Sequence, residues 1–128
     1  MIIPEMSSNS PKKMAILMAA YNGQKYLSKQ LDSILAQNYP NWTLYVIDDG
    51  SKDETWNILH GYQASFGEKL HITKTDNKGC AKTFLSLACD ENIQADYYAY
   101  SDQDDIWDNN KLSRAVEILG KRNDTIAQ

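Results

Sequence analysis

The sequence predicts an α/β fold, a mainly parallel sheet with helices on both faces. Three observations carry that expectation. Strand-length apolar runs alternate four times with segments of helical period, which implies crossover connections between parallel strands. The first run, residues 14–20, is apolar at every position, as in a strand buried on both faces. The stretches that would follow the strands are all polar and mostly acidic, which gathers them along one edge of such a sheet.

The elements follow in order. Residues 1–13 carry Pro4, Pro11 and several Ser without hydrophobic periodicity, and read as a flexible arm. After the strand at 14–20, Leu27, Leu31, Ile34 and Leu35 recur at i, i+4, i+7 and i+8 and predict an amphipathic helix that stops before the turn at 38–41. Residues 43–48 are β-branched, aromatic and apolar, and predict the second strand; Asp49-Gly50 breaks it. Ser51 and Glu54 stand in capping-box spacing, so Ser51 is expected to cap a helix built on Trp56, Ile58, Leu59, Tyr62 and Gln63 and ending near Phe66-Gly67. A short strand at 70–74, a turn at 77–79 and a helix over about 80–89 come next. Residues 95–100 predict the fourth strand, and residues 110–121 a helix with Leu112, Ala115, Val116 and Leu119 inward. The domain is therefore expected over 14–122, followed by a polar tail at 123–128.

Bulk properties narrow the function. At 128 residues, 42% hydrophobic and 23% charged, the chain has room for one packed domain but little for two substrate sites. A net charge of −4 argues against a nucleic-acid groove, whose footprint is a basic stripe. No apolar run approaches the roughly 20 residues of a membrane span, and the first 13 residues lack the apolar centre of a signal peptide, so a cytoplasmic location is expected. Cys80 and Cys89 fall on opposite faces of their predicted helix, which disfavours a disulfide, and two His in the whole chain disfavour a Cys/His zinc site.

The densest chemistry lies in Asp102, Asp104, Asp105 and Asp108, four carboxylates within seven residues. There is no Lys or Arg from Thr83 to Asn110 to neutralise them. A hard divalent cation, Mg²⁺ or Mn²⁺, suits such oxygens, because it needs only one or two carboxylates when a substrate diphosphate supplies the rest. Counting from Asp102, a calcium loop would need Gly at Trp107 and Glu at Ser113, so that motif fails. A phosphoacceptor domain would carry its paired acids after the first strand, where this chain has Ala20-Tyr21.

Four loop motifs in this order resemble the nucleotide-binding half of a family 2 glycosyltransferase of the GT-A fold: Ala20-Tyr21-Asn22, Asp48-Asp49-Gly50-Ser51, Asn77-Lys78-Gly79, and Asp102-Gln103-Asp104 followed by Asp105-Ile106-Trp107. The last has the look of bacterial rhamnosyltransferase-like members. The resemblance implies the donor-binding part of a metal-dependent inverting enzyme that uses a dTDP- or UDP-sugar. The acceptor would be a saccharide or lipid-linked, in surface polysaccharide synthesis, possible membrane association belonging to the parent protein. It implies a nucleotide-sugar set of Ala20, Tyr21, Asn22, Asp49, Gly79, Lys82, Asp102, Gln103 and Asp105, with Asp104 and Asp102 on Mn²⁺ or Mg²⁺. The acceptor-binding part and the catalytic base are expected outside these residues. A non-catalytic nucleotide- or metal-binding domain is the alternative.

Elementary chemistry assigns parts within that set. The Tyr21 ring can stack on a base, and the Asp49 carboxylate can accept the ring N–H that uracil, thymine and guanine all present at their pairing edge. Asp48 points to the other face and is expected to hold loop N–H groups. Lys78 and Lys82 read first as solvated surface lysines that could add charge near a diphosphate. Trp107 reads as a packing anchor for the acidic loop, and Asp105 as a support for that loop or a contact to the donor sugar.

Overall fold

A computed structural model describes residues 12–102 and 105–127. Strands β1 (Met14–Ala20), β2 (Trp42–Asp48), β3 (Leu70–Lys74) and β4 (Tyr97–Ser101) alternate with helices α1 (Leu27–Leu35), α2 (Thr55–Phe66), α3 (Cys80–Ala88) and α4 (Lys111–Ala127); a single 3₁₀ turn, Gly67–Lys69, leads into β3. The sheet order is β3-β2-β1-β4 and every pairing is parallel. The α/β architecture expected from the sequence is the one formed.

The topology follows from handedness. The chain steps from β1 to β2 to β3 in one direction, then returns past β1 to place β4, so right-handed crossovers put α1 and α2 on one face and α3 on the other. Packing agrees. Met14, Ile16 and Met18 of β1 join Leu44 and Val46 of β2 under Leu27, Leu31 and Ile34 of α1, Leu59 and Phe66 of α2 and Leu112 of α4. The alternate β1 residues Ala15 and Leu17 join Ile47 beneath Leu87 of α3 and Ile93. All seven β1 residues are buried, as the unbroken apolar run required. Each fully buried Leu or Ile contributes about 1.5–3 kcal/mol, so β1 and the α1 stripe hold the fold together.

Several local expectations change. The arm was drawn to residue 13, and residues 1–11 lie outside the described residues. Lys12 and Lys13, however, are tied down: the Lys13 N–H donates to Asp96, its carbonyl accepts from the N–H groups of Asp96 and Tyr97, and the Lys12 carbonyl accepts from the Tyr39 hydroxyl. Leu35, placed in the apolar stripe of α1, is 37% exposed, because the contact row ends at Ile34. Helix α4 runs on to Ala127 through the stretch read as a polar tail. The capping box does not form. Helix α2 begins at Thr55, whose N–H and hydroxyl both donate to Asp53 Oδ1 (2.9 and 2.5 Å), while Ser51 is engaged by another loop.

Candidate functional site

The carboxyl ends of the strands define the site. β1 has β2 on one side and β4 on the other, so the strand order reverses at β1 and leaves a crevice where ligands of such sheets bind. Ala20 pairs with Asp48, and Ser101 lies opposite Met18, so Asp102 leaves the sheet beside the end of β1.

On the β2 side the first two loops are stitched together reciprocally. The Asn22 N–H donates to Ser51 Oγ (2.8 Å) and its side-chain Oδ1 accepts from the Lys52 N–H (2.8 Å). The Gly23 N–H donates to Thr55 Oγ1 (2.7 Å), the Gln24 N–H to Asp53 Oδ2 (3.1 Å), and Gln24 Oε1 accepts from the Glu54 N–H (3.1 Å). Asn22 adopts a φ of 49°, which asparagine tolerates better than most residues. Tyr21, between Ala20 and this stitched turn, is half-buried at the mouth of the crevice.

Asp49 holds the third loop. Its Oδ1 accepts from the Thr75 hydroxyl (2.9 Å) and the Lys78 N–H (2.7 Å), and Oδ2 accepts from the Gly79 N–H (2.8 Å). Burial alone would raise this carboxyl, but the N–H groups of Lys78 and Gly79 and the hydroxyls of Thr75 and Thr83 outweigh it and hold it below the ordinary carboxylate range. At 2% exposure the carboxylate faces its own loop rather than open solvent. A base N–H would have to share Oδ2 with Gly79. Asp48, as expected, accepts a loop N–H, that of Ser51 on Oδ1 (3.0 Å), while its buried Oδ2 has no partner among the described residues.

Two glycines make the loop geometry possible. Gly79 sits at φ 98° just before α3, where a side chain would be strained. Gly50, at φ 79°, approaches the 75–77 backbone so closely that a Cβ would lie 3.0 Å from the Asn77 nitrogen. Lys78 and Lys82 are exposed.

The acidic loop beyond β4 is held differently. Asp102 and Asp108 are exposed and Asp105 is half-buried; Gln103 and Asp104 lie outside the described residues. Trp107 is buried in the core over α1, and its indole N–H donates to Asp105 Oδ2 (3.0 Å), which gives Asp105 the loop-supporting part of its two expected roles. The loop is fastened to α1 through its backbone. Gln30 Nε2 donates to the Asp102 carbonyl (2.6 Å), Ser33 Oγ accepts from the Trp107 N–H (3.1 Å), and Gln37 Nε2 donates to the Asp108 carbonyl (2.6 Å). Among the described residues no three His, Cys, Asp or Glu side chains gather around one point. The donor set still suits a hard cation. Asp102 presents its carboxylate to solvent, and no Lys or Arg lies between Thr83 and Asn110 to neutralise it.

Sequence reading did not single out Gln30, Ser33, Gln37, Asp53 or Thr75. The only available signal was polarity at positions 30, 33 and 37 next to the apolar row of α1. Among the described residues no helix is long and apolar enough to cross a membrane.

Comparison with known proteins places this arrangement. The model of glycosyl transferase family 2 matches residues 15–128. The dTDP-rhamnosyl transferase RfbG of Shigella flexneri is 37% identical over 105 residues, covering 80% of this chain and 36% of that protein. The putative teichuronic acid biosynthesis glycosyltransferase TuaG of Bacillus subtilis is 29% identical over 109 residues, 85% of this chain and 42% of its own length. Among solved structures, S. aureus TarS 1–349 in complex with UDP-GlcNAc superimposes with a TM-score of 0.74 at 24% identity, over 85% of this chain and 31% of that one. The mannosyltransferase PcManGT of Pyrobaculum calidifontis, in complex with GDP-Man and Mn²⁺, gives 0.76 at 19% identity, over 84% and 32%. These structures share the fold. The chain thus spans well under half the length of the relatives it matches.

Proposed function

The chain belongs to glycosyl transferase family 2, and on that premise we propose that it forms the donor-binding part of a metal-dependent inverting glycosyltransferase acting in bacterial surface polysaccharide synthesis. The observation that carries this reading is the pairing of the exposed Asp102, with no Lys or Arg between Thr83 and Asn110 to neutralise it, with the stitched Tyr21–Asn22 turn across the end of β1.

In this reading the base of a dTDP- or UDP-sugar stacks on Tyr21, with Ala20 and Asn22 shaping the turn and Asp49 Oδ2 offering the acceptor it shares with Gly79. Asp102 serves the ribose hydroxyls or the cation, and Asp104, with Asp102, holds Mn²⁺ or Mg²⁺. Such an ion would neutralise the diphosphate leaving group as the bond to the anomeric carbon breaks. Gly79 and Lys82 border the diphosphate and Gln103 the donor sugar, while Asp105 supports the loop through Trp107. The site for the saccharide or lipid-linked acceptor and the base that deprotonates it lie outside these residues. Of the two donor classes, dTDP- and UDP-sugars, sequence similarity to the dTDP-rhamnosyl transferase RfbG supports the first.

Calorimetric titration with dTDP and UDP, in Mn²⁺ and then in chelator, tests the reading. Tight binding only with metal is expected. Equal affinity in both conditions would remove the cation from the account, and no binding at all would remove the nucleotide.

A further inference from the structure

The acidic loop presents an unusual holding problem. Asp102 has no basic residue between positions 83 and 110 to neutralise it and must be held in place, yet a carboxylate tied up in salt bridges or hydrogen bonds would be lost to a cation or a ribose. The structure meets both demands with neutral donors from one helix. Gln30, Ser33 and Gln37 follow one row along and just beyond α1, beside Leu27, Leu31 and Ile34, and they are buried to 1%, 9% and 8% exposure. Buried amides cost free energy unless their hydrogen bonds are made.

Here they are made, and they go to the acidic segment or to its neighbours. Gln30 Nε2 donates both to the Ser101 hydroxyl (2.9 Å) and to the Asp102 carbonyl (2.6 Å). Ser33 Oγ donates to the Gln30 carbonyl (2.7 Å) and accepts from the Trp107 N–H (3.1 Å). Gln37 Nε2 donates to the Asp108 carbonyl (2.6 Å) and the Ser33 carbonyl (3.1 Å), and its Oε1 accepts from the Leu112 N–H (3.0 Å), the start of α4. The Asn38 N–H adds a bond to the Asn109 carbonyl (2.8 Å). The segment is therefore gripped on either side, at 101–102 and at 107–112, and none of these bonds uses an acidic side chain. Neutral donors also leave the negative charge of the loop undiminished.

We propose that Gln30, Ser33 and Gln37 are positioning residues for the cation- and donor-binding loop: they fix its backbone on either side, at Ser101–Asp102 and at Trp107–Leu112, and leave the Asp102 carboxylate free. The proposal rests on the donor-site reading above, and it assigns these residues no contact with substrate.

The test uses the whole 128-residue chain. Gln30→Met and Gln37→Met keep volume while deleting the donors, and Phe66→Leu, a core change that removes none of the loop's hydrogen bonds, serves as a control of comparable loss in melting temperature. MnCl2 titration with UDP present, UDP titration in chelator and amide hydrogen exchange at Trp107 and Leu112 are measured on all four proteins. Each Gln variant should weaken Mn²⁺ binding about 10-fold or more, the range for losing a group that orients metal ligands. The same variants should lose amide protection at Trp107 or Leu112 and keep metal-free UDP affinity within about two-fold. Phe66→Leu should leave Mn²⁺ affinity and those amides unchanged relative to its global stability. Unweakened Mn²⁺ binding in both Gln variants, or an equal loss in Phe66→Leu, overturns the positioning role alone. Absence of Mn²⁺ binding by the wild-type chain in the presence of saturating UDP overturns the donor-site reading and takes this proposal with it.

Discussion

The carboxyl edge of the sheet has two halves that treat their acids in opposite ways. On the β2–β3 side Asp48, Asp49 and Asp53 turn inward and accept hydrogen bonds from neighbouring loops. On the β4 side Asp102 faces solvent and is held by its backbone carbonyl through Gln30, and farther along the loop, where Asp105 does accept the Trp107 indole N–H, Ser33 and Gln37 again hold the backbone. The first half spends negative charge on its own architecture; the second keeps charge in reserve and borrows its architecture from α1. Acid count in a sequence therefore says little about function until the hydrogen bonds of each carboxylate are known. Asp49 and Asp102 look alike in the sequence and differ in what they have left to offer a ligand.

The largest test of this contrast lies at Trp107. Its ring is buried in the core beneath the acidic loop, so Trp107→Ala should cost about 3–5 kcal/mol, the range for removing a core aromatic. Urea denaturation measures the loss, and residual folded protein should bind Mn²⁺ more weakly because Asp105 loses its indole partner. A cost below about 1 kcal/mol would mean that the loop is anchored by its backbone bonds alone.

Asp49→Ala comes next. It leaves the N–H groups of Lys78 and Gly79 and the Thr75 hydroxyl without their acceptor in a half-buried setting, at about 2–4 kcal/mol, since bonds to charged groups are worth about 1.5–3 kcal/mol each and part is regained by water. If Asp49 also reads the base, the variant should lose more affinity for UDP than for ADP, whose ring nitrogen at that position only accepts. Equal loss for both would leave Asp49 as a loop tie and nothing more.

Acid titration separates the halves without mutation. Asp49 and Asp53 are both held below the ordinary carboxylate range, Asp53 because the Thr55 hydroxyl, the Thr55 N–H and the Gln24 N–H outweigh its burial. A carboxyl with a depressed folded-state pKa adds stability above its unfolded pKa of about 3.9, and that stability is lost as pH falls through the lower folded value. Unfolding free energy should therefore decline below about pH 5, and Asp49→Ala should flatten that decline. An unchanged slope in the variant would show that other groups carry the acid sensitivity.

How much of this was legible follows the range of the interactions. The strands at 14–20 and 70–74 and the end of α2 at Phe66-Gly67 were readable because periodicity and glycine act locally. The four loops could be placed on one edge because parallel topology does so for any such chain. The start of α2 was misread because Ser51, in capping position by spacing, is claimed by the Asn22 N–H across 29 residues, and Asp53 caps Thr55 in its place. Gln30 and Gln37 were invisible for the same reason. Their partners lie 72 and 71 residues away, and an amide on a helix face carries no sign of a distant carbonyl.

The smallest expected effect is the sharpest test of the contrast. Asp102→Asn keeps size and shape, and the Asp102 contacts that hold the loop, to Gln30 and to the Asp105 N–H, use its carbonyl rather than its carboxylate. Removing one charge from a cluster with no basic residue between positions 83 and 110 also relieves repulsion among the acids that remain. Stability should therefore stay within about 0.5 kcal/mol of wild type, or rise slightly at low salt, where screening is least. Mn²⁺ affinity should fall nonetheless. That pairing of a stability change near zero with a clear binding loss is the opposite of what Asp49→Ala should do, and thermal unfolding at two salt concentrations alongside MnCl2 titration reads both quantities. If Asp102→Asn instead destabilises the fold by more than about 1 kcal/mol, its carboxylate is part of the architecture, the two halves of the edge use their acids alike, and the reserve of charge must be sought at another residue of the loop.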